Sequence, residues 1–214
     1  MRKVYHGAVQ EIVSPLVHVG RDYLDFGKGF YVTDIRSQAK TWAELKSRYM
    51  MDAIGRINEY VFDFEHAIDE FRYKKFEKYD AEWLHFIVDC RDGKKVWKGY
   101  DIIEGGVAND RVIDTVEAFK AGQISEENAL RELAKHQPNN QICILKQEVV
   151  EKYLRFQKSV TEVSDAFFNN EYFEFIQCTM HLKVQRIKTN AECSHSISFV
   201  AACGIREIHL LAAW

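Results

Sequence analysis

Two short segments near the start of the chain carry residues that suit binding of a flat, polar ring. His6 and Gly7 follow a short apolar run, and Gly27, Gly29 and Tyr31 lie in the segment Asp25–Thr33. Glycines at a turn accept backbone angles closed to other residues and allow main-chain groups to come close to a ligand. One imidazole and one aromatic face beside such glycines suit a planar heterocycle with polar edges.

A third segment completes this group of residues. Asn139 and Asn140 form a polar turn that leads into the apolar run Gln141–Leu145, which is typical of a buried strand. The residues after Tyr31 begin a helix, with Ser37 as its N-cap and Trp42 on its apolar face.

With these residues the chain resembles the ADP-ribosyltransferase superfamily, in its diphtheria-toxin-like, poly(ADP-ribose)-polymerase-like branch. The resemblance covers residues 1–157 and is strongest over Leu24–Trp42. That branch carries a His-Tyr-Glu triad on three strands, and His6, Tyr31 and Gln141 fall on those positions. The nearest members are uncharacterised bacterial proteins, often encoded beside a small partner in toxin–antitoxin-like pairs.

The resemblance implies NAD as co-substrate and no metal. It places the carboxamide on the backbone of Gly7, the adenosine ribose on His6, and the nicotinamide ring between Tyr31 and Trp42, with Gly29 beside the ring. It implies release of nicotinamide and transfer of ADP-ribose to a macromolecular acceptor, either protein or nucleic acid. A small antitoxin-like protein is the implied partner.

Gln141 departs from the family pattern, which has Glu there. In the family the Glu holds the 2′-hydroxyl of the nicotinamide ribose and stabilises the oxocarbenium-like transition state. An amide can still hydrogen-bond that hydroxyl, because it has both a donor and an acceptor, but it brings no negative charge. Losing one such group costs about 10²–10³ in rate. Two functions therefore stay open, a slow mono-ADP-ribosyltransferase and a catalytically silent NAD- or ADP-ribose-binding module that acts through a protein partner.

Composition narrows the class of protein. The chain has 214 residues, 47% of them apolar and 29% charged, as in an ordinary globular protein with one domain or one domain plus an appendage. A net charge of −3 argues against a dedicated nucleic-acid binder. We find no long apolar run and no leader pattern, so we expect a cytoplasmic protein with no signal peptide or membrane span.

The five cysteines are widely spaced and include no Cys-x-x-Cys pair, which disfavours a structural zinc site. Buried thiols in a reducing compartment are the simpler interpretation. The group Cys193-Ser194-His195 near Cys203 has no neighbouring acid to orient a nucleophile.

Alternating short strands and helices predict an α+β fold, and the resemblance makes it an ADP-ribosyltransferase-like split antiparallel β-sheet with flanking helices. Caps are expected at Asp80 and Ser125, and a helix end at Gly122. The predicted strands are 3–5, 29–33, 57–64, 98–103 and the run from 141, and the predicted helices are 37–56, 80–88, 110–121, from 125, and 148–154.

Three other segments have residue types that can carry chemistry. The acidic run 63–70 offers metal ligands, but its helical spacing favours a solvated helix face. The basic aromatic run 72–78 offers contacts to the phosphates of a nucleic-acid acceptor, but its short length and acidic flanks favour an amphipathic surface helix. The loop Gly105–Asp110 fits either a substrate-side role or a plain strand-to-helix turn.

Residues 158–214 form a C-terminal extension outside the resemblance. It has apolar runs at 172–187, 196–200 and 208–211 and a turn at 164–168. A strand pair that completes the sheet, a partner-docking extension and a terminus peculiar to this protein all remain open.

Overall fold

The computed structural model describes residues 1–50, 53–108, 110–136 and 138–161. Over these ranges the predicted α+β fold is confirmed, with short strands and helices in mixed order. The strands are β1 Arg2–Ala8, β2 Phe30–Val32, β3 Arg56–Phe62, β4 Tyr73–Lys75, β5 Ile102–Gly105, β6 Gln141–Ile144 and β7 Leu154–Thr161. The helices are α1 Arg36–Tyr49, α2 Phe64–Glu70, α3 Ala81–Arg91, α4 Asp110–Lys120, α5 Glu126–Leu133 and α6 Gln147–Tyr153.

The strands form two sheets that meet at one point. One sheet has the order β1-β3-β7 and is antiparallel, and the other has the order β2-β6-β5-β4. Tyr5 of β1 and Thr33 after β2 form a single bridge, with N–O distances of 2.8 and 3.0 Å. Beyond this bridge the two strands belong to different sheets. The pair β4–β5 is parallel, which the expectation of a wholly antiparallel sheet did not include.

The apolar side chains of the four-stranded sheet divide between two core clusters, because successive residues of a strand point to opposite faces. Tyr31, Ile103 and Cys143 belong to the cluster that also holds Trp42 of α1. Phe30, Ile102 and Ile144, from the alternate positions, belong to the other cluster. The fold therefore buries Tyr31 and Trp42 in one hydrophobic environment.

Several local signals are confirmed. The Asp80 carboxylate accepts a hydrogen bond from the Trp83 backbone N at 3.0 Å at the start of α3. The Ser125 hydroxyl accepts from Asn128 N at 3.3 Å at the start of α5. Gly122 follows α4 with a φ of 68°, a left-handed angle that favours glycine.

Other boundaries were wrong. The helix predicted to run from 37 to 56 with Ser37 as its N-cap begins at Arg36 and ends at Tyr49, so that Ser37 lies inside it and Ile35 is at the N-cap position. The strand β3 begins at Arg56 and ends at Phe62, so that Phe64 starts α2 instead of ending a strand. The segment predicted as strand 98–103 begins as a 3-10 turn, Val96–Gly99, and becomes strand only at Ile102.

The basic aromatic run 72–78 is not the predicted amphipathic helix. Its residues Tyr73–Lys75 form β4, which pairs in parallel with Ile102–Glu104. Phe76 and Tyr79, which follow, are buried in the core around α3. Tertiary pairing thus overrides the local helical pattern, since a three-residue edge strand leaves almost no periodic signal.

The strand β7 continues through the predicted domain boundary at residue 157 and pairs with the whole of β3. The predicted turn 164–168, the apolar runs at 172–187, 196–200 and 208–211, and the Cys193-Ser194-His195 group lie outside the described residues.

Candidate functional site

His6 links the two sheets at the point where they part. Its Nδ1 lies 2.7 Å from the backbone carbonyl oxygen of Tyr31, and its ring stacks on Phe30 with the ring centroids 4.7 Å apart. Burial, together with the nearby Lys46 charge, lowers the pKa of His6 to about 3. The imidazole is therefore neutral at pH 7. Because a carbonyl can only accept, Nδ1 carries the proton and Nε2 is the acceptor nitrogen.

Tyr31 is held by the glycine turn that precedes it. Its hydroxyl donates to the Gly27 carbonyl and accepts from the Phe26 backbone N at 3.2 Å. Burial raises the pKa of Tyr31 well above its usual value, and the nearby Cys143 and Asp25 act in the same direction, so the hydroxyl stays protonated. Only 2% of the residue is exposed. Tyr31 and Trp42 lie in one hydrophobic cluster, and their rings are packed in the core.

The glycines of the site allow parts of the protein to approach each other. A Cβ on Gly7 would lie 2.1 Å from the Ala39 carbonyl oxygen of α1. A Cβ on Gly29 would lie 2.6 Å from Cys143 Sγ. Gly27 has a φ of 83°, as its motif suggested, whereas Gly29 has no positive φ and is required for close packing against β6 instead.

The carbonyl of Gly7, which the sequence assigned to a ligand carboxamide, accepts a hydrogen bond from Lys46. Lys46 Nζ of α1 donates to Gly7 O at 2.8 Å. Burial of the ammonium group, and secondarily the charge of Arg21, lowers the pKa of Lys46 to about 8. A ligand that uses this carbonyl either shares it with the ammonium group, since a carbonyl oxygen has two lone pairs, or displaces that group. Nothing in the local sequence indicated this contact, because the two residues lie on different elements.

Gln141 opens β6, as predicted, and pairs with Gly105 of β5. Its residue exposure is 0%, and within the described part of the chain neither Oε1 nor Nε2 of its side chain has a hydrogen-bond partner. Buried polar groups are nearly always paired, and an unpaired one costs about 1–3 kcal/mol. Gln141 lies on the same face of the sheet as Cys143, which pairs with Tyr31.

The structure also shows a buried ion pair that sequence reasoning missed. Arg91, at the end of α3, donates from Nε to Asp25 Oδ1 at 2.7 Å, and Ala108 N donates to Asp25 Oδ2 at 3.3 Å. Arg91 also donates to Glu117 of α4 at 3.3 Å. Asp25 begins the segment that ends at Thr33, so this pair anchors the turn whose carbonyl receives the Tyr31 hydroxyl. The partners are 66 residues apart, and no local pattern connects them.

The remaining candidate segments are the acidic run 63–70 and the loop after β5. Glu65, His66, Asp69 and Glu70 lie on the exposed side of α2, as the charge pattern predicted. The loop after β5 is tied down by Trp83 Nε1, which donates to Gly106 O at 3.1 Å, and by the Tyr79 hydroxyl, which donates to Val107 O at 2.8 Å.

Both described cysteines are buried thiols. Burial raises the pKa of Cys90 to about 12 and that of Cys143 further. Within the ranges given above, no group of three His, Cys, Asp or Glu side chains is placed to hold a metal ion.

Comparison with known proteins gives one family. The family described as "Protein of unknown function (DUF3990)" matches residues 2–156, which is most of the chain. The chain belongs to this family. The matched region ends within β7 and includes every candidate site residue described above.

No curated protein and no solved structure matches the chain. None of the helices in the described ranges has the length and apolar character needed to cross a membrane.

Proposed function

We propose that this protein is a NAD-dependent mono-ADP-ribosyltransferase, which acts in the cytoplasm on a macromolecular acceptor and releases nicotinamide. The observation that carries the proposal is Gln141, a fully buried amide with two unpartnered atoms on the sheet face that also presents Tyr31. Such an amide fits a ligand hydroxyl, which can donate to Oε1 and accept from Nε2. The toxin-like role and the small antitoxin-like partner belong to the same proposal and rest on the resemblance alone.

The other residues of the proposed NAD site are His6, Gly7, Tyr31 and Trp42, and each has a separate role. His6 offers the acceptor nitrogen Nε2, which suits a hydroxyl of the adenosine ribose. Gly7 offers its carbonyl to the carboxamide, which shares it with Lys46 Nζ, 2.8 Å away, or displaces that group. Tyr31 and Trp42 lie in one cluster and form the walls of the nicotinamide site when their packing opens. Each aromatic contact of this kind adds about 0.5–1.5 kcal/mol beyond burial.

In the proposed reaction the bond between the nicotinamide nitrogen and the ribose C1′ breaks, and its electron pair leaves with nicotinamide. A nucleophilic atom of the acceptor then bonds to C1′ and loses its proton to solvent. Gln141 holds the 2′-hydroxyl next to the reacting carbon. Its amide stabilises the developing positive charge less well than a carboxylate, so turnover is slow.

A second function is favoured by the same residue. Because Gln141 carries no charge, the protein can bind NAD or ADP-ribose without catalysis and signal that state to a protein partner. Incubation of the purified protein with labelled NAD, with and without cell lysate, separates the two functions. Label on an acceptor supports the transferase, whereas binding measured by calorimetry without label transfer supports the silent module.

Variants of Gln141 test the site. We expect Gln141→Ala to lower single-turnover release of nicotinamide by about 10², with NAD affinity changed less, because the contact matters chiefly in the transition state. Gln141→Glu should raise NAD hydrolysis by restoring the charge. Gln123→Ala, at an exposed glutamine, is the matched control. If both Gln141 variants match the wild type, this residue is not part of the site. If the wild type binds neither NAD nor ADP-ribose, both functions are wrong.

A further inference from the structure

A second glutamine beside Gln141 also has an unpartnered buried atom. Gln38 lies in the first turn of α1 and is half-buried, and its Nε2 is shielded from solvent with no hydrogen-bond partner among the described residues. The other atom of the same amide, Oε1, lies 3.1 Å from Thr33 Oγ1. No sequence pattern singles out Gln38, because a glutamine in the first turn of a helix is an ordinary surface residue.

Thr33 brings the two glutamines to one place. Its hydroxyl contacts Gln38 on one side and the Asn140 backbone carbonyl at 2.7 Å on the other, and Asn140 precedes Gln141. The pairs Tyr31 with Cys143 and Val32 with Ile142 define the β2–β6 register, and one further step sets Thr33 opposite Gln141. The Thr33 and Gln141 side chains therefore share a sheet face, and the Gln38 amide lies against it.

The hydrogen bonds of the Thr33 hydroxyl determine which atom of the Gln38 amide is unpartnered. A threonine hydroxyl has one proton, and the shorter contact, to Asn140 O, takes it. Thr33 Oγ1 also accepts from Ile35 N at 3.1 Å. The amide atom of Gln38 next to Thr33 must then be a donor, so the amide is turned by 180° and its oxygen is the unpartnered atom. A ligand hydroxyl can pair with the unpartnered atom in either orientation of the Gln38 amide, because a hydroxyl both donates and accepts.

We propose that Gln38 is a second ligand-binding residue of the site, and that Gln38 and Gln141 bind the two neighbouring hydroxyls of a ribose. The two amides lie on α1 and β6 and are connected through Thr33 and Asn140. Together they offer the donors and acceptors that the two adjacent hydroxyl groups of a cis-diol require. The inference rests on the proposed function and adds to it a requirement for an unmodified nicotinamide ribose. Gln141 is assigned to the 2′-hydroxyl, as in the proposed reaction, and Gln38 to the neighbouring 3′-hydroxyl.

Calorimetry with NAD and with two NAD analogues tests this, the analogues lacking the 2′- or the 3′-hydroxyl of the nicotinamide ribose. One hydrogen bond corresponds to about a tenfold change in affinity. We expect Gln38→Leu to weaken NAD binding about tenfold and each analogue to bind the wild type about tenfold more weakly. Gln38→Leu should bind NAD and the analogue without the 3′-hydroxyl equally well, and Gln141→Leu should bind NAD and the analogue without the 2′-hydroxyl equally well.

The controls separate a lost contact from a lost fold. Gln123→Leu makes the same change at an exposed glutamine and should leave all affinities unchanged. If Gln38→Leu does not fold, Gln38→Met makes the same comparison. If both analogues lose the same factor in wild type and variant, Gln38 does not contact the ribose and the inference is overturned, while NAD binding by the wild type leaves the proposed function intact. If the wild type does not bind NAD, the proposed function falls, and the inference falls with it.

Discussion

His6 donates a short hydrogen bond to a backbone carbonyl and has a strongly lowered pKa. Its Nδ1 holds the Tyr31 carbonyl at 2.7 Å, and burial lowers its pKa from 6.5 to about 3. A neutral imidazole is the form that joins the two sheets here, because the protonated form would place a positive charge in the core near that of Lys46. This coupling between protonation and folding gives a measurable dependence of stability on pH.

We expect the free energy of unfolding to fall by about 2 kcal/mol between pH 7 and pH 5 because of His6 alone. The unfolded chain binds a proton at His6 below pH 6.5, whereas the folded protein does not until about pH 3. Acidification therefore favours the unfolded state over this window. Urea titrations of the wild type and His6→Asn, whose amide can still donate to the Tyr31 carbonyl, isolate the effect as the difference between their pH profiles.

His66 is the control with the opposite sign. It is exposed, and its hydrogen bond to Asp63 raises its pKa. The stability it adds is present at low pH and is lost as the pH rises through that raised pKa. His66→Gln should therefore reduce stability at pH 5 more than at pH 8. Parallel pH profiles for the wild type and His6→Asn would contradict the neutral, buried state of His6.

Residue by residue, the sequence predicted what is local. The positive φ of Gly27 and the placement of Gln141 at a strand start follow from neighbouring residues, whereas β1 continues to Ala8 and so holds His6 inside the strand instead of at its end. The contacts between Lys46 and Gly7 and between Gln38 and Thr33 join different elements. No periodic pattern or motif in the sequence connects the two residues of either contact, so only the three-dimensional structure shows these contacts.

At the scale of elements, the turn that carries Tyr31 is fixed by α3 and α4. Asp25 is fully buried, and it receives Arg91 from the end of α3, while Arg91 also reaches Glu117. The same turn supplies the Gly27 carbonyl to the Tyr31 hydroxyl. The helices thus hold the turn whose carbonyl accepts from the Tyr31 hydroxyl.

We expect Asp25→Asn to lower the free energy of unfolding by about 3–5 kcal/mol, because it leaves the Arg91 guanidinium buried with a weakened partner. Asp22→Asn is the matched control, since its pair with Lys28 is 3.6 Å long and Asp22 is 65% exposed. That change should cost less than about 1 kcal/mol. Chemical denaturation of both variants measures the difference, and equal small losses would show that the buried pair does not hold the turn.

Helices that begin at a capping residue, as at Asp80 and Ser125, were predicted well from the sequence. Strands that form only because a neighbouring strand pairs with them were predicted poorly. The strand β4 has three residues and exists because β5 lies beside it. The strand β7 pairs along β3 from Leu154 to Thr161, although its residues read locally as a helix end followed by an extension. Both misassignments concern the edges of a sheet, where the partner strand supplies most of the stabilisation.

For the whole molecule, the arrangement of acids around the site decides how far the proposed reaction can proceed. Elongation of an ADP-ribose chain needs a general base for the ribose hydroxyl of the growing end, worth about 10²–10⁴ in rate. Gln141 cannot accept a proton near neutral pH. Glu104, on the neighbouring strand β5, pairs with Ile142 and so lies on the opposite face of the sheet. There it is bound by Arg2 at 3.0 Å, Asn140 at 3.0 Å and the Tyr73 hydroxyl.

Glu148, the next acid along the chain, lies on α6 and pairs with Lys146 at 3.3 Å and Lys152 at 2.9 Å. With these carboxylates engaged, we expect transfer to stop at one ADP-ribose per acceptor residue. Intact mass spectrometry of modified acceptors should show single increments per site, with Gln141→Ala as the low-turnover control. A ladder of linked units released from one acceptor residue would contradict this expectation, because it requires a base in reach of the second ribose.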